Sequence, residues 1–184
     1  LTDGDFNTVI GKSAMRVNTQ GEENTIVGYD AGYNVLSASS LQGSFNTFIG
    51  FKAAYSYAGG VDYGSNVAIG HQTLMTGTNA NRTIALGNSA GVSGTASVDN
   101  VLVGYGAGSY ADSTGNTMIG NKAGFRTSGN NNTVVGFRAL SGSSSGDTSH
   151  LNTVMGYAAM EGDTTSAQEN VALGAFAFTE ATTG

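Results

Sequence analysis

Cysteine and tryptophan are absent from this 184-residue chain, histidine occurs only as His71 and His150, and charged residues make up 11%. The lack of cysteine excludes a disulfide framework and is compatible with any compartment. The lack of tryptophan weighs against a sugar-cleaving cleft, although Tyr33, Tyr55, Tyr57, Tyr63 and Tyr110 are rings that can stack on sugars. Seven bases, Lys12, Lys52, Lys122, Arg16, Arg82, Arg126 and Arg138, lie scattered against 13 acids, for a formal net charge of −6. There is thus no basic stripe to follow a phosphate backbone, and a nucleic-acid partner is not expected. No apolar run approaches the roughly 20 residues of a membrane helix, so no membrane insertion is expected in this segment. The two histidines have no acid at metal-ligand spacing, and the acids do not recur in register, which disfavours a metal site and a calcium-binding roll alike. Asp3 and Asp5 read as solvated. Gly11-Lys12-Ser13 resembles the end of a phosphate-binding loop, but Phe6 stands where that motif needs glycine. Gly104 to Gly108 lacks dinucleotide spacing. No catalytic, cofactor-binding or metal-ligating residue is assigned, and no cofactor is expected.

Glycine, by contrast, is abundant at 29 residues, and it is ordered. A unit centred on Gly11, Gly28, Gly50, Gly70, Gly87, Gly104, Gly120, Gly136, Gly156 and Gly174 recurs ten times. Asparagine stands four residues before each glycine, except for Thr83 in the fifth unit. Alanine stands three residues after it, except for Thr73 in the fourth. A fixed period of this kind marks a stack of like structural units. Glycine-to-glycine spacings run 17, 22, 20, 17, 17, 16, 16, 20 and 18, so the basic coil has 16 or 17 residues. The extra residues all fall between one unit and the next, chiefly from Val35 to Gly43, Tyr55 to Gly64 and Ser141 to His150. Such insertions project from one side of a solenoid, often the binding side.

The residues at −1 and −2 from the glycine are apolar in all ten units, and −3 is Thr, Val or Ile. Short β-branched runs between Asn and Gly predict strands. Neighbouring side chains on a strand point to opposite faces, so both faces of this strand are apolar and both need cover. A thin solenoid has one interior; the second face calls for another copy of the chain. The alternative is cover by the chain's own other strand or by its long loops. The central glycine is expected at a corner with positive φ or close backbone approach. The alanine is expected in a tight interior, and the variable +4 residue to adjust packing layer by layer. The asparagines are expected to form an amide ladder. His71 lies at +1, a position that elsewhere holds Tyr29, Phe51, Tyr105, Phe137 and Tyr157, and reads as a partly packed surface side chain. Ten coils at about 4.8 Å make a rod on the order of 50 Å.

The strings SNVAIG (65–70) and ENVALG (169–174) resemble the head repeats of trimeric autotransporter adhesins. NTVIGKSA, NTMIGNKAG and NTVVGFRAL are similar to the N-T-x-x-G-x-x-A repeats of phage tail fibres. The resemblance spans nearly the whole chain. It implies a homotrimeric, left-handed parallel β-roll in an extracellular or virion fibre that serves attachment. Taken together, the expectation is an all-β solenoid of about ten coils, with residues 1–184 forming a single array cut from a longer fibre. Its expected role is non-enzymatic: a structural segment with itself as partner and a cell-surface glycan or protein receptor reached through loops. A bacterial adhesin head is the neighbouring reading. A carbohydrate-active tailspike module is the competing one, with Asp62, Asp147, Glu161 and Asp163 as its candidate acids. An ice-binding threonine face is disfavoured, because Val67, Ile84, Val101 and Val171 replace the hydroxyl but keep the shape.

Overall fold

The computed structural model describes residues 4–17, 21–36, 43–58, 64–76, 80–93, 97–110, 112–143, 147–162 and 166–179. Among these it is all-β, with no helix. Each repeat contributes one three-residue strand to a ten-stranded parallel sheet. The strands run Thr8–Ile10, Thr25–Val27, Thr47–Ile49, Val67–Ile69, Ile84–Leu86, Val101–Val103, Thr117–Ile119, Thr133–Val135, Thr153–Met155 and Val171–Leu173. Register is constant: Thr117 pairs with Val101 and Thr133, and the same position matches its equivalent along the whole sheet. Sequential strands pair directly, one circuit of chain apart, which is a parallel β-solenoid.

Each circuit turns at four left-handed positions: the central glycine and the residues at −5, +2 and +4. The central glycines have φ between +117° and +142°. In nine of them, Gly11 to Gly156, a Cβ would lie closer than 3.0 Å to the carbonyl of the glycine one layer on. Both reasons for glycine therefore apply at once: unusual φ and backbone approach. The other three corners hold ordinary residues, such as Lys122 at φ 56° and Leu140 at φ 48°. Left-handed backbone costs such residues on the order of 1 kcal/mol each. Hydrogen bonds between layers hold them there. Lys122 N–H donates to the Tyr105 carbonyl at 2.8 Å, and Leu140 N–H to the Ala159 carbonyl at 2.8 Å, in opposite directions along the stack.

The asparagine column forms the expected ladder. The backbone N–H and the side-chain amide of Asn46 both donate to Asn24 Oδ1, at 2.9 and 3.1 Å. The same double contact joins Asn24 to Asn7, Asn66 to Asn46, Asn116 to Asn100, Asn132 to Asn116, Asn152 to Asn132 and Asn170 to Asn152. Thr83 interrupts it. Its N–H still donates to Asn66 Oδ1 at 3.0 Å, but its hydroxyl receives Asn100 N–H only at 3.5 Å.

The interior is lined by −2, +3 and +4. Alanine at +3 is fully buried from Ala31 to Ala159, and Thr73 fits there by donating its hydroxyl to the Gly87 carbonyl at 2.7 Å. The −2 and +4 side chains share one space and trade volume. In three of the four layers where +4 is glycine, a Cβ would strike the layer's own −2 side chain: Gly108 against Leu102, Gly124 against Met118 and, at 3.0 Å, Gly32 against Ile26 Cδ1; in the fourth, where −2 is Ala85, a Cβ on Gly91 would meet Leu74 and Leu102 of the adjacent layers. Where −2 is Ala68, Val134 or Val154, +4 is the fully buried Leu74, Leu140 or Met160. The layer-by-layer adjustment expected at +4 is thus half of a reciprocal pattern.

Three further parallel pairs lie in the connections: Asn34–Leu36 with Ser56–Ala58, Ser97–Val98 with Ser113–Thr114, and Thr127–Ser128 with Asp147–Thr148. The sequence reading treated the longest connections as projecting loops. Residues at the ends of these connections, Asn34–Leu36, Ser56–Ala58 and Asp147–Thr148, continue the stack, because adjacent circuits run in register there and their backbone groups can pair.

Candidate functional site

The outer face of the ten-stranded sheet carries the −1 and −3 columns. Among the described residues this face is only partly covered: Val27, Leu86, Val103 and Val135 of the −1 column are half-buried and the other six are exposed. The −2 residues are buried, while Ile10 is 60%, Ile119 39%, Met155 49% and Leu173 63% exposed. Among the described residues, neither loops nor a second strand layer covers these side chains. The −3 column shares this outer position, with Thr133 and Ile84 exposed. Its residues range from exposed, as at Ile84 and Val171, to half-buried, as at Val67 and Val101. Side chains on one strand must alternate, and −3 goes with −1.

Around the corner glycine, the +1 residues form files of stacked rings. Tyr29 lies on Phe51 with ring centroids 5.5 Å apart, and Phe51 on His71 at 5.1 Å with the planes 9° apart. His71 is the surface side chain the sequence suggested, held as one member of this stack. Lys12 Nζ caps the file 5.7 Å from the centre of Tyr29. A second file joins Phe137 to Tyr157 at 5.3 Å. One layer spacing accounts for these distances, since equivalent residues repeat at the spacing of paired strands. Tyr33 and Tyr55 likewise stack on each other at 5.0 Å, so each loses one ring face to its neighbour. Tyr63 and the side chain of Tyr57 lie outside the described residues.

Of the acids proposed for a cleaving site, only Glu161 has a described side chain. Asp62, Asp163 and the side chain of Asp147 lie outside the described residues, as does Asp3. Glu161 forms an ion pair with Arg138 Nη2. Among the described residues, no cluster of three or more His, Cys, Asp or Glu side chains could hold a metal ion. His150 Nδ1 accepts the Asn130 N–H at 3.0 Å, a structural contact. The strongest electrostatic contact is the two-toothed pair of Arg82 with Asp99, at 2.5 Å from Nε and 2.9 Å from Nη2. Hydrogen bonding to Arg82 holds the Asp99 carboxyl below the usual carboxylate range. Both partners sit in the left-handed −5 column, one layer apart.

A groove of about 320 Å³ opens on the stretch that follows the corner glycines, between Gln72, Ser89, Tyr105, Gly106, Lys122 and Phe125. Sequence reasoning missed it. The signal was present as Gly106, a glycine at a position that elsewhere carries a side chain.

Comparison with protein-family models, with curated proteins and with solved structures finds no match to this chain. No helix among the described residues is long and apolar enough to cross a membrane.

Proposed function

We propose that this chain is a non-enzymatic structural segment of an extracellular or virion fibre, of the phage tail-fibre kind, assembled as a homotrimer and supporting attachment to a host or other surface. The observation that carries this reading is the partly exposed apolar face. Ten apolar −1 side chains stand in register along one side of the sheet. A contiguous apolar stripe of this length marks an association surface. Its periodicity matches only another array of the same repeat, so the fitting partner is a second and third copy. Three rolls, left-handed as the repeat resemblance implies, would bury their sheet faces around a shared axis. The stack itself is suited to spacing: its amide ladder is interrupted only at Thr83, and its register is constant.

Sedimentation at micromolar concentration tests this, with a discriminating variant. Ile119 is 39% exposed in the single chain. In a lone protomer Ile119→Asp keeps its charge hydrated and costs about 1 kcal/mol, through lost strand propensity and packing on Val103 and Val135. In the trimer three carboxylates are desolvated against apolar neighbours, which costs several kcal/mol. The expected result is a trimeric wild type, a monomeric but folded Ile119→Asp, and an unchanged trimer for Ser143→Asp in the Ser141 to His150 connection. A compact wild-type monomer refutes the reading.

A further inference from the structure

The groove beside Tyr105 exists because one side chain is missing from an otherwise filled column. At +2, nine of the ten repeats carry a side chain, with φ between +52° and +58°. Gly106, at φ 63°, is the exception. The backbone therefore does not require glycine there. Nor does packing: a Cβ would meet Lys122 Cγ at 3.7 Å and Phe125 Cδ2 at 3.8 Å, ordinary contacts. What the glycine does is leave the groove open. Its volume of about 320 Å³ sits at the small end of ligand sites, roughly 300–1,000 Å³, enough for one or two rings.

The lining has a definite chemistry. Tyr105 is 52% exposed and belongs to the +1 file, but its neighbours in that file are Asn88 and Asn121. Among the described residues, no other ring stacks on it, unlike Tyr29, Phe51 and Phe137. Its electron-rich face is free for a partly apolar, C–H-bearing partner. Lys122 Nζ lies 5.4 Å from the centre of the Phe125 ring and meets no carboxylate of a described residue within ion-pair distance. The groove thus holds an unneutralised cation on a chain of net charge −6. The Gln72 amide supplies a donor and an acceptor at the opposite wall.

We propose that this groove binds one sugar ring of an acidic carbohydrate chain, stacked on Tyr105, with its carboxylate paired to Lys122. A ring with an apolar face, hydroxyls at its rim and one negative group answers all three features, whereas a neutral sugar leaves Lys122 unused and a phosphate leaves Tyr105 unused. None of the lining residues belongs to the sheet's −1 or −3 columns, so the site and the proposed trimer contact use separate side chains. The inference deepens the attachment reading and rests on it for the surface that presents the sugar.

The test is ligand-observed NMR titration of the full chain with digalacturonate, sialyllactose and lactose. Saturable binding of at least one acidic sugar, at least about 5-fold tighter than lactose, is expected. Gly106→Gln fills the groove with a side chain that the equivalent Gln72 already carries, so it folds, as circular dichroism will show, and weakens binding at least about 10-fold. Tyr105→Ala does the same. Lys122→Gln brings the acidic sugars down to the lactose level. Failure of both acidic sugars to bind, binding that survives Gly106→Gln, or equal affinity for lactose overturns the inference. Sedimentation of the same samples reports assembly separately, so a trimer that binds no acidic sugar sinks this site alone.

Discussion

Exchanging two side-chain sizes within one layer should leave the stack standing, while changing either alone should not. Met118 is fully buried, and a Cβ on Gly124 would meet its Sδ and, at 2.6 Å, its Cε. Met118→Ala removes three heavy atoms from the interior. At about 0.8 kcal/mol per methylene-sized group, that is roughly 2–2.5 kcal/mol of transfer, and the residual cavity brings it within the usual range of about 2–5 kcal/mol. Gly124→Leu alone inserts four carbons into space already occupied, costing about 1–3 kcal/mol. Backbone strain does not add to this, because Leu74 and Leu140 hold the same position at φ 48°. The double variant Met118→Ala, Gly124→Leu reproduces the layer that Ala68 and Leu74 already form, and it nearly conserves volume. It should lie within about 1.5 kcal/mol of wild type, so the coupling is at least about 1.5 kcal/mol. For a chain of this size, 1 kcal/mol moves Tm by about 2–4 °C. Met118→Ala should therefore melt at least about 4 °C lower and Gly124→Leu at least about 2 °C lower by circular dichroism, at one fixed protein concentration, with most of the loss regained in the double. A double variant that falls by the sum of the two singles would show that −2 and +4 do not share one space.

Thr83→Asn should stabilise the chain by about 1 kcal/mol, since it restores the amide contacts that the hydroxyl makes only at 3.5 Å; a lower denaturant midpoint would contradict the ladder as an energetic unit. Gly120→Ala should prevent folding or lower Tm more than any single core truncation, because φ is +136° and a Cβ would be driven into the Gly136 carbonyl; a Tm within about 3 °C of wild type would count against that geometry. Asp99 titrates below its ordinary value, so its pair with Arg82 contributes above the unfolded carboxylate pKa of about 3.9 and is lost as pH falls through the folded value. Wild type should accordingly be more stable than Asp99→Asn at pH 7, and the difference should vanish well below pH 4; a difference that persists at pH 2 would show that the charge is not its source.

Much of this fold is written locally. A three-residue run between Asn and Gly is too short to be a stable strand alone, but ten copies in constant register leave only the stack as a way to pair their backbones. The central glycine was legible because no other residue accepts both its φ and its neighbour's carbonyl; the other three corners, held by ordinary residues, were not. The amide ladder was legible because an asparagine repeated once per circuit must meet itself one layer away. The apolar residues at −1 and −2 announced two faces. Which of the two is the chain's own interior depended on the direction of the turn at the glycine, and periodicity carries no information about that.

Other features exist only once the circuits are stacked. The trade between Met118 and Gly124 needs both side chains to enter the same space, and six residues of sequence separation do not say so. The short strands in the long connections form because neighbouring circuits happen to leave in register. The groove at Tyr105 draws on layers centred on Gly70, Gly87, Gly104 and Gly120, so no single repeat contains it. Repetition determined the backbone of this protein, because identical units bond to themselves. The departures from repetition became cavities, stacks and free charges only where the third dimension set them side by side.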